Sequence, residues 1–198
     1  MAIVRFHHVS KIFYPFIFLI WIGVFNEALG SFLVSRGHFN IINTNIYCLF
    51  ESIFLLWFFQ NIKVFKIPIL FPIIIALSCL IWTVEVFFVN PFGSAFSSYF
   101  NIFYSFILVL LSITSINKLL IEEKNLLRSP TFLICTGILI YFTYGILVEA
   151  FWLYGLGASK NFIAKVYFIL SWINPICNLI YSLAILWMRK RQAFTLQF

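Results

Sequence analysis

The chain is organised as six long apolar stretches separated by short polar segments. A helix that crosses a hydrocarbon core of about 30 Å needs about 20 mostly apolar residues. The apolar residues run on without the strict alternation of a barrel strand, which favours helices. The sequence therefore predicts an all-α integral membrane protein, a single domain over residues 1–198 that forms a bundle of six transmembrane helices. The predicted spans are Ile12–Leu33, Ile41–Ile62, Ile67–Val89, Phe96–Ile116, Thr131–Gly155 and Phe162–Met188.

Composition supports this class. Of the 198 residues, 63% are hydrophobic and only 10% are charged, whereas soluble domains carry about 25% charged residues. A soluble monomer is therefore excluded, and so is a disordered chain, because disorder requires low hydrophobicity. The four cysteines lie in four different predicted spans, and no Cys or His spacing is typical of a metal site. We predict no metal and no cofactor.

The distribution of basic residues predicts the orientation in the bilayer. The first, third and fifth connections between spans hold only Arg36, Lys160 and Lys165, whereas the other ten of the 13 Lys and Arg residues lie at the termini and in the even connections. Because cytoplasmic loops are enriched in Lys and Arg, we predict that both termini face the cytoplasm, at the plasma (inner) membrane. The net charge of +7 reflects this asymmetry. We predict no nucleic-acid partner, since no single basic face carries aromatic residues.

Glutamate residues within the spans are the most informative polar feature. The chain has no Asp, and four of its six acidic residues fall inside spans: Glu27, Glu51, Glu85 and Glu149. An ionisable group in hydrocarbon costs a few kcal/mol. Glu51 lies midway along the second span, so we expect it in the bundle interior, either at a binding site or in a hydrogen bond between helices. The other three lie nearer the outer ends, where they face inward, reach the headgroups or pair with loop cations.

Polar and small residues recur at helical spacing on spans two, four, five and six. Lipid cannot satisfy polar groups, so we predict that these stripes face inward as a polar seam, widest on the outer side. The stripes comprise Thr44, Tyr47 and Glu51; Asn101, Ser105, Ser112 and Ser115; Gly137, Tyr141, Gly145 and Glu149; and Ser171, Asn174, Asn178 and Tyr181. Pro175 interrupts the last span, as in transporter binding sites and also in ordinary bundles.

These residues predict a ligand-binding pocket in the outer half of the bundle. Its predicted members are Glu27, Glu51, Glu85, Glu149, Tyr47, Trp172, Asn174 and Asn178. Carboxylates supply negative charge and aromatic faces attract cations, so we expect the pocket to bind or translocate a small cation, a proton or a cationic small molecule. In size, six spans and cytoplasmic termini, the chain resembles the substrate-capturing subunits of energy-coupling-factor vitamin importers. The resemblance covers architecture alone, since the Ala-x-x-x-Ala coupling motif of their first span is not found here.

An enzyme is the class that the sequence supports least. None of the three His residues lies within a span, and the chain has no Asp for a Ser-His-Asp triad. We therefore predict a non-enzymatic protein. The alternative function is a membrane sensor, accessory subunit or oligomeric pore-forming effector that acts through a partner protein or further copies of itself. The predicted docking segment is the cytoplasmic Asn117–Ser129, either a short interfacial helix or the frayed ends of spans four and five.

Overall fold

The computed structural model describes residues 9–90, 95–122, 125–154 and 160–188. Six long helices cover most of these residues: α1 (Tyr14–Ser35), α2 (Ile41–Asn61), α3 (Leu70–Val84), α4 (Ser98–Glu122), α5 (Pro130–Tyr154) and α6 (Lys160–Trp187). A π-helical turn, Glu85–Val89, continues α3, and short 3-10 turns, Lys11–Phe13 and Leu126–Arg128, precede α1 and α5. With the π-helical turn counted as part of α3, all six helices are long and apolar enough to cross a membrane, as expected of an integral membrane protein.

The helices follow the predicted spans closely, with one clear difference. α4 continues to Glu122, six residues beyond the predicted end of the fourth span. The first half of Asn117–Ser129 is therefore the end of α4, and Leu126–Arg128 forms a separate short turn. Residues 123 and 124 in this segment lie outside the described residues.

The first two helices end in a hydrogen-bonded cap that reverses the chain. Gly37 has a φ of 77°, and the N–H of His38 donates to the carbonyl oxygen of Leu33 at 3.0 Å. This left-handed residue satisfies carbonyls that the helix end leaves free. Lys63, with a φ of 57°, has the same conformation after α2. These tight turns make α1, α2 and α3 successive antiparallel neighbours.

The helices pack in sequence order, and α2 also contacts α4. Among the described residues, α1 and α6, the first and last helices of the bundle, do not pack along their length. Their aromatic contact is between the rings of Phe16 and Tyr181, whose centroids lie 5.2 Å apart. Large apolar side chains are fully buried between the other helices, among them Phe58, Phe100, Leu108, Ile134 and Ile138. The bundle is therefore well packed on most sides and open between its first and last helices.

Candidate functional site

A cavity of about 480 Å³ lies between α1, α2, α5 and α6. Its volume is in the range of small-molecule binding sites. The polar lining consists of Glu27, Glu51, Tyr47, Tyr141, Asn174, Cys177, Asn178, Tyr181 and Ser182. The apolar lining consists of Phe16, Leu19, Ile20, Val24, Leu55, Phe142 and Ile185, with Gly23 beside them. Among the described residues, this lining includes two carboxyl groups and no Lys, Arg or His side chain.

Glu51 is the polar centre of the cavity. It is the middle residue of α2 and is partly buried. The Tyr47 hydroxyl, one helical turn earlier, donates to Oε1 at 3.2 Å, and the Tyr104 hydroxyl of α4 donates to Oε2 at 2.8 Å. Each carboxyl oxygen therefore has one phenolic donor. In the described ranges no cationic side chain forms a hydrogen bond with this carboxylate.

The wall formed by α5 and α6 depends on a close approach at a glycine. The ring of Tyr181 lies directly over Gly137, and a Cβ atom at that glycine would be 2.9 Å from Cζ of the ring. The Cys177 thiol donates to the Gly137 carbonyl oxygen at 3.6 Å. On the same face of α6, Nδ2 of Asn178 donates to Oδ1 of Asn174 at 3.3 Å. The small residue on α5 thus allows α6 to present aromatic and amide groups to the cavity.

The wall formed by α1 is mostly apolar and carries the second carboxylate. A Cβ atom on Gly23 would lie 3.4 Å from the Tyr47 hydroxyl oxygen, an ordinary van der Waals contact, so α1 passes close beside the tyrosine that bonds Glu51. Glu27 follows one turn later on the same face, where its side chain is exposed to the cavity opening. α1 thus contributes one carboxylate at the opening, while α2 contributes the other at mid-helix.

Five of the eight predicted site residues line the cavity: Glu27, Glu51, Tyr47, Asn174 and Asn178. Glu85, Glu149 and Trp172, which the sequence predicts in the same pocket, are not among the described residues that line this cavity. The cavity also extends beyond the predicted half of the bundle, since Phe16 near the start of α1 and Ile185 near the end of α6 both line it.

Glu85 has a structural position instead. Its side chain is only 2% exposed. Oε1 accepts the backbone N–H of Tyr99 at 3.0 Å, and Oε2 accepts that of Phe100 at 2.7 Å. Both N–H groups belong to the first turn of α4, which has no intrahelical acceptor for them. A carboxylate at a helix N-terminus is also favoured by the helix dipole. Glu85 therefore caps α4 from the π-helical turn that ends α3.

Glu149 and Trp172 are likewise held away from the cavity. Oε1 of Glu149 accepts Nδ2 of Asn101 at 3.0 Å, which links α5 to α4. Trp172 is 61% exposed and packs edge-on against Phe168 on the outer surface of α6. The Glu149 carboxylate thus accepts a hydrogen bond from another helix of the bundle, and the Trp172 side chain lies on the outer surface.

Two sets of hydrogen bonds in the bundle are not indicated by the sequence pattern. Tyr104 was not predicted as a partner of Glu51, because the helical spacing within one span does not indicate which span lies opposite. Asn45, only 5% exposed, was missed as well. Its side chain donates to the Ala95 carbonyl at 3.1 Å and accepts the Ser97 N–H at 3.1 Å, which ties the segment before α4 to α2.

No protein-family model, curated protein or solved structure matches the chain. In the ranges that the structure describes, no three His, Cys, Asp or Glu side chains converge as a metal site would require. The four cysteines are unpaired thiols, and Cys177 alone among them lines the cavity. The chemistry of the site is therefore that of two carboxylates, aromatic rings and amides.

Proposed function

We propose that the chain is a non-enzymatic polytopic membrane protein that binds a small organic cation in the cavity around Glu51. One observation carries the proposal. Glu51 lies at the middle of a helix long and apolar enough to span a membrane, and it faces a cavity in which the only other charged side chain described is the carboxylate of Glu27. An ionisable group at such a depth marks a functional site by default.

A positively charged occupant complements this cavity in three ways. Its charge offsets the cost of holding a carboxylate away from bulk water. The faces of Tyr47, Tyr141 and Tyr181 provide cation–π attraction, which is strongest where water is excluded. The amides of Asn174 and Asn178 offer hydrogen bonds that orient an ammonium group. A volume of about 480 Å³ favours an organic cation over a bare metal ion or a proton.

The proposed orientation places both termini in the cytoplasm of a cell with the chain in its plasma (inner) membrane. The support is the concentration of Lys and Arg at the termini and in the even connections. In this orientation Glu27 lies toward the outer surface, and Glu51 lies at the midplane. Translocation of the bound cation is the simplest use of such a site, and sensing through a partner protein is the alternative.

Thermal unfolding of the purified protein with a panel of cations tests the proposal. The panel contains ethylammonium, tetraethylammonium, choline and dodecylammonium, with Na⁺ and K⁺ for comparison. A compound at one hundred times its Kd stabilises the folded state by about 2.7 kcal/mol, which raises the melting temperature measurably. We expect at least one organic cation to stabilise wild type and not Glu51→Gln, which keeps the shape of the side chain and removes its charge.

Glu149→Gln is the matched control, because it makes the same chemical change in a helix of the same bundle and outside the cavity. It should retain the stabilisation by the organic cation. The proposal fails if no cation stabilises wild type, or if Glu51→Gln responds as wild type does. Either result would favour the alternative, in which the chain acts through a partner protein.

A further inference from the structure

The cavity opens sideways, between α1 and α6. In the part of the chain that the structure describes, the two helices meet at Phe16 and Tyr181 and do not pack along the rest of their length. In the gap, Val24 of α1 is 66% exposed and also lines the cavity. On α6, Asn174 and Asn178 precede Tyr181, and both are exposed and line the cavity too. The opening is therefore a lateral cleft, bounded by one helix on each side and closed at one end by the two rings.

The cleft lies at the depth of the hydrocarbon core. Asn178 is at the centre of the apolar stretch Phe168–Trp187, and Glu51 is at the centre of α2. The outward-facing residues beside the cleft are large and apolar: Phe25 is 68% exposed, Leu179 is 67% exposed and Leu183 is 47% exposed. Such surfaces suit acyl chains. The exposed amide of Asn178 at mid-span donates one hydrogen bond to Asn174, and its remaining donor and acceptor require polar neighbours that lipid tails do not provide.

From this geometry we infer that the cation is amphiphilic, an amine with a single apolar tail, and that it reaches Glu51 through the lateral cleft from the lipid phase. The inference rests on the proposed function, whose cation site it specifies. The ammonium group binds at Glu51 and the amides of α6, and the tail lies along Leu19, Ile20 and Val24 of α1. These residues form the apolar side of the cavity.

The charge of the lining excludes phosphate-bearing amphiphiles. A phospholipid headgroup would bring its phosphate close to two carboxylates, and no Lys, Arg or His of the described residues lines the cavity to compensate it. Like charges held together at low dielectric repel strongly. The occupant is therefore a net cation, and a lysophospholipid with an ethanolamine headgroup should not compete with it.

Photolabelling in phosphatidylcholine nanodiscs tests the inference, with a dodecylamine analogue that carries a diazirine at the tail end. We expect label on α1 and α6, reduced at least tenfold in Glu51→Gln. Unlabelled dodecylamine should compete, whereas propylamine, dodecanol and lysophosphatidylethanolamine at the same concentration should not. Val24→Trp narrows the cleft and should reduce labelling at least fivefold. Phe25→Trp, one position away and outside the cavity lining, is the control that should label as wild type does.

Val24→Phe narrows the cleft with a smaller ring and replaces the first variant should Val24→Trp fail to fold. Equal competition by propylamine and dodecylamine, or unchanged labelling in the folded cleft variants, would overturn lateral access while the Glu51 cation site stands. Equal labelling of Glu51→Gln and wild type would overturn the binding of an amphiphilic amine at Glu51. Together with a negative cation panel, it would also overturn the proposed function.

Discussion

Tyr104 donates its hydroxyl hydrogen to Oε2 of Glu51 at 2.8 Å, across the contact between α4 and α2. This bond connects a helix that does not line the cavity to the residue at its centre. A second donor, Tyr47, approaches the other carboxyl oxygen at 3.2 Å from within α2 itself. The Tyr104 contact therefore holds the carboxylate against α4, and the Tyr47 contact restrains the rotamer of the Glu51 side chain on α2.

Replacement of Tyr104 by Phe should destabilise the protein more than replacement of Tyr47 by Phe. Hydrogen bonds to charged groups contribute about 1.5–3 kcal/mol. The Tyr104 bond is the shorter of the two, and it joins two helices, whereas the Tyr47 bond lies within α2. We expect Tyr104→Phe to lower the free energy of unfolding by about 2 kcal/mol in a denaturing-detergent titration. An equal or larger loss in Tyr47→Phe would contradict the roles assigned to the two hydroxyls.

Glu85→Ala should destabilise the fold without affecting cation binding at Glu51. The change leaves two N–H groups of the first turn of α4 without acceptors and removes a favourable charge at the helix terminus. We expect a loss of about 2–4 kcal/mol on unfolding, and about half of that for Glu85→Gln, whose amide oxygen still accepts one bond. A stable Glu85→Ala that no longer responds to organic cations would show instead that this carboxylate belongs to the binding site.

Two glycines on α5 provide a matched pair for the packing at Tyr181. A methyl group at Gly137 would collide with the Tyr181 ring, whereas one at Gly145 meets no atom within 4 Å. Gly137→Ala should therefore cost about 1–3 kcal/mol through overpacking and reduce stabilisation by the organic cation. Gly145→Ala should gain up to about 1 kcal/mol from helix propensity. Equal melting temperatures for the two variants would contradict the close approach of α6 to α5.

The proposed orientation, with both termini in the cytoplasm, predicts that reporters at both ends of the chain lie on the same side of the membrane. A phosphatase that is active only outside the cytoplasm should be inactive when fused to either terminus, and active when inserted in the connection after Gly37. The reason is the concentration of Lys and Arg at the termini and in the even connections. Opposite activities at the two termini would contradict an even number of spans.

The fold follows from the sequence more directly than the site does. Each helix is an apolar run of sufficient length, and Pro15 and Pro130 lie in the first turns of α1 and α5, where a missing N–H costs nothing. The end of α4 was predicted too early, because Asn117 and Lys118 are polar yet continue the helix to Glu122. Polarity marks the edge of a membrane span, whereas hydrogen bonding and caps determine where the helix itself ends.

Within the site, the depth of a glutamate along its helix predicted whether it lies inside the bundle. The residues that contact it from other helices could not be predicted. Glu51 was expected in the interior because it is central in its span, and it lies in the cavity. Glu85 and Glu149 are also glutamates inside predicted spans. Backbone N–H groups of α4 bind Glu85, however, and the Asn101 amide binds Glu149. The deciding contacts are between different helices, and no periodicity within a single span encodes them.

An equilibrium binding isotherm tests most directly whether an amphiphilic amine binds at Glu51. Radiolabelled dodecylamine is titrated onto wild type, Glu51→Gln and Glu149→Gln in identical phosphatidylcholine nanodiscs, with empty nanodiscs subtracted. We expect saturable binding of about one amine per chain to wild type and Glu149→Gln, and at least tenfold weaker binding to Glu51→Gln, equivalent to about 1.4 kcal/mol. Equal isotherms for the three proteins, or no saturable binding above empty nanodiscs, would contradict this expectation.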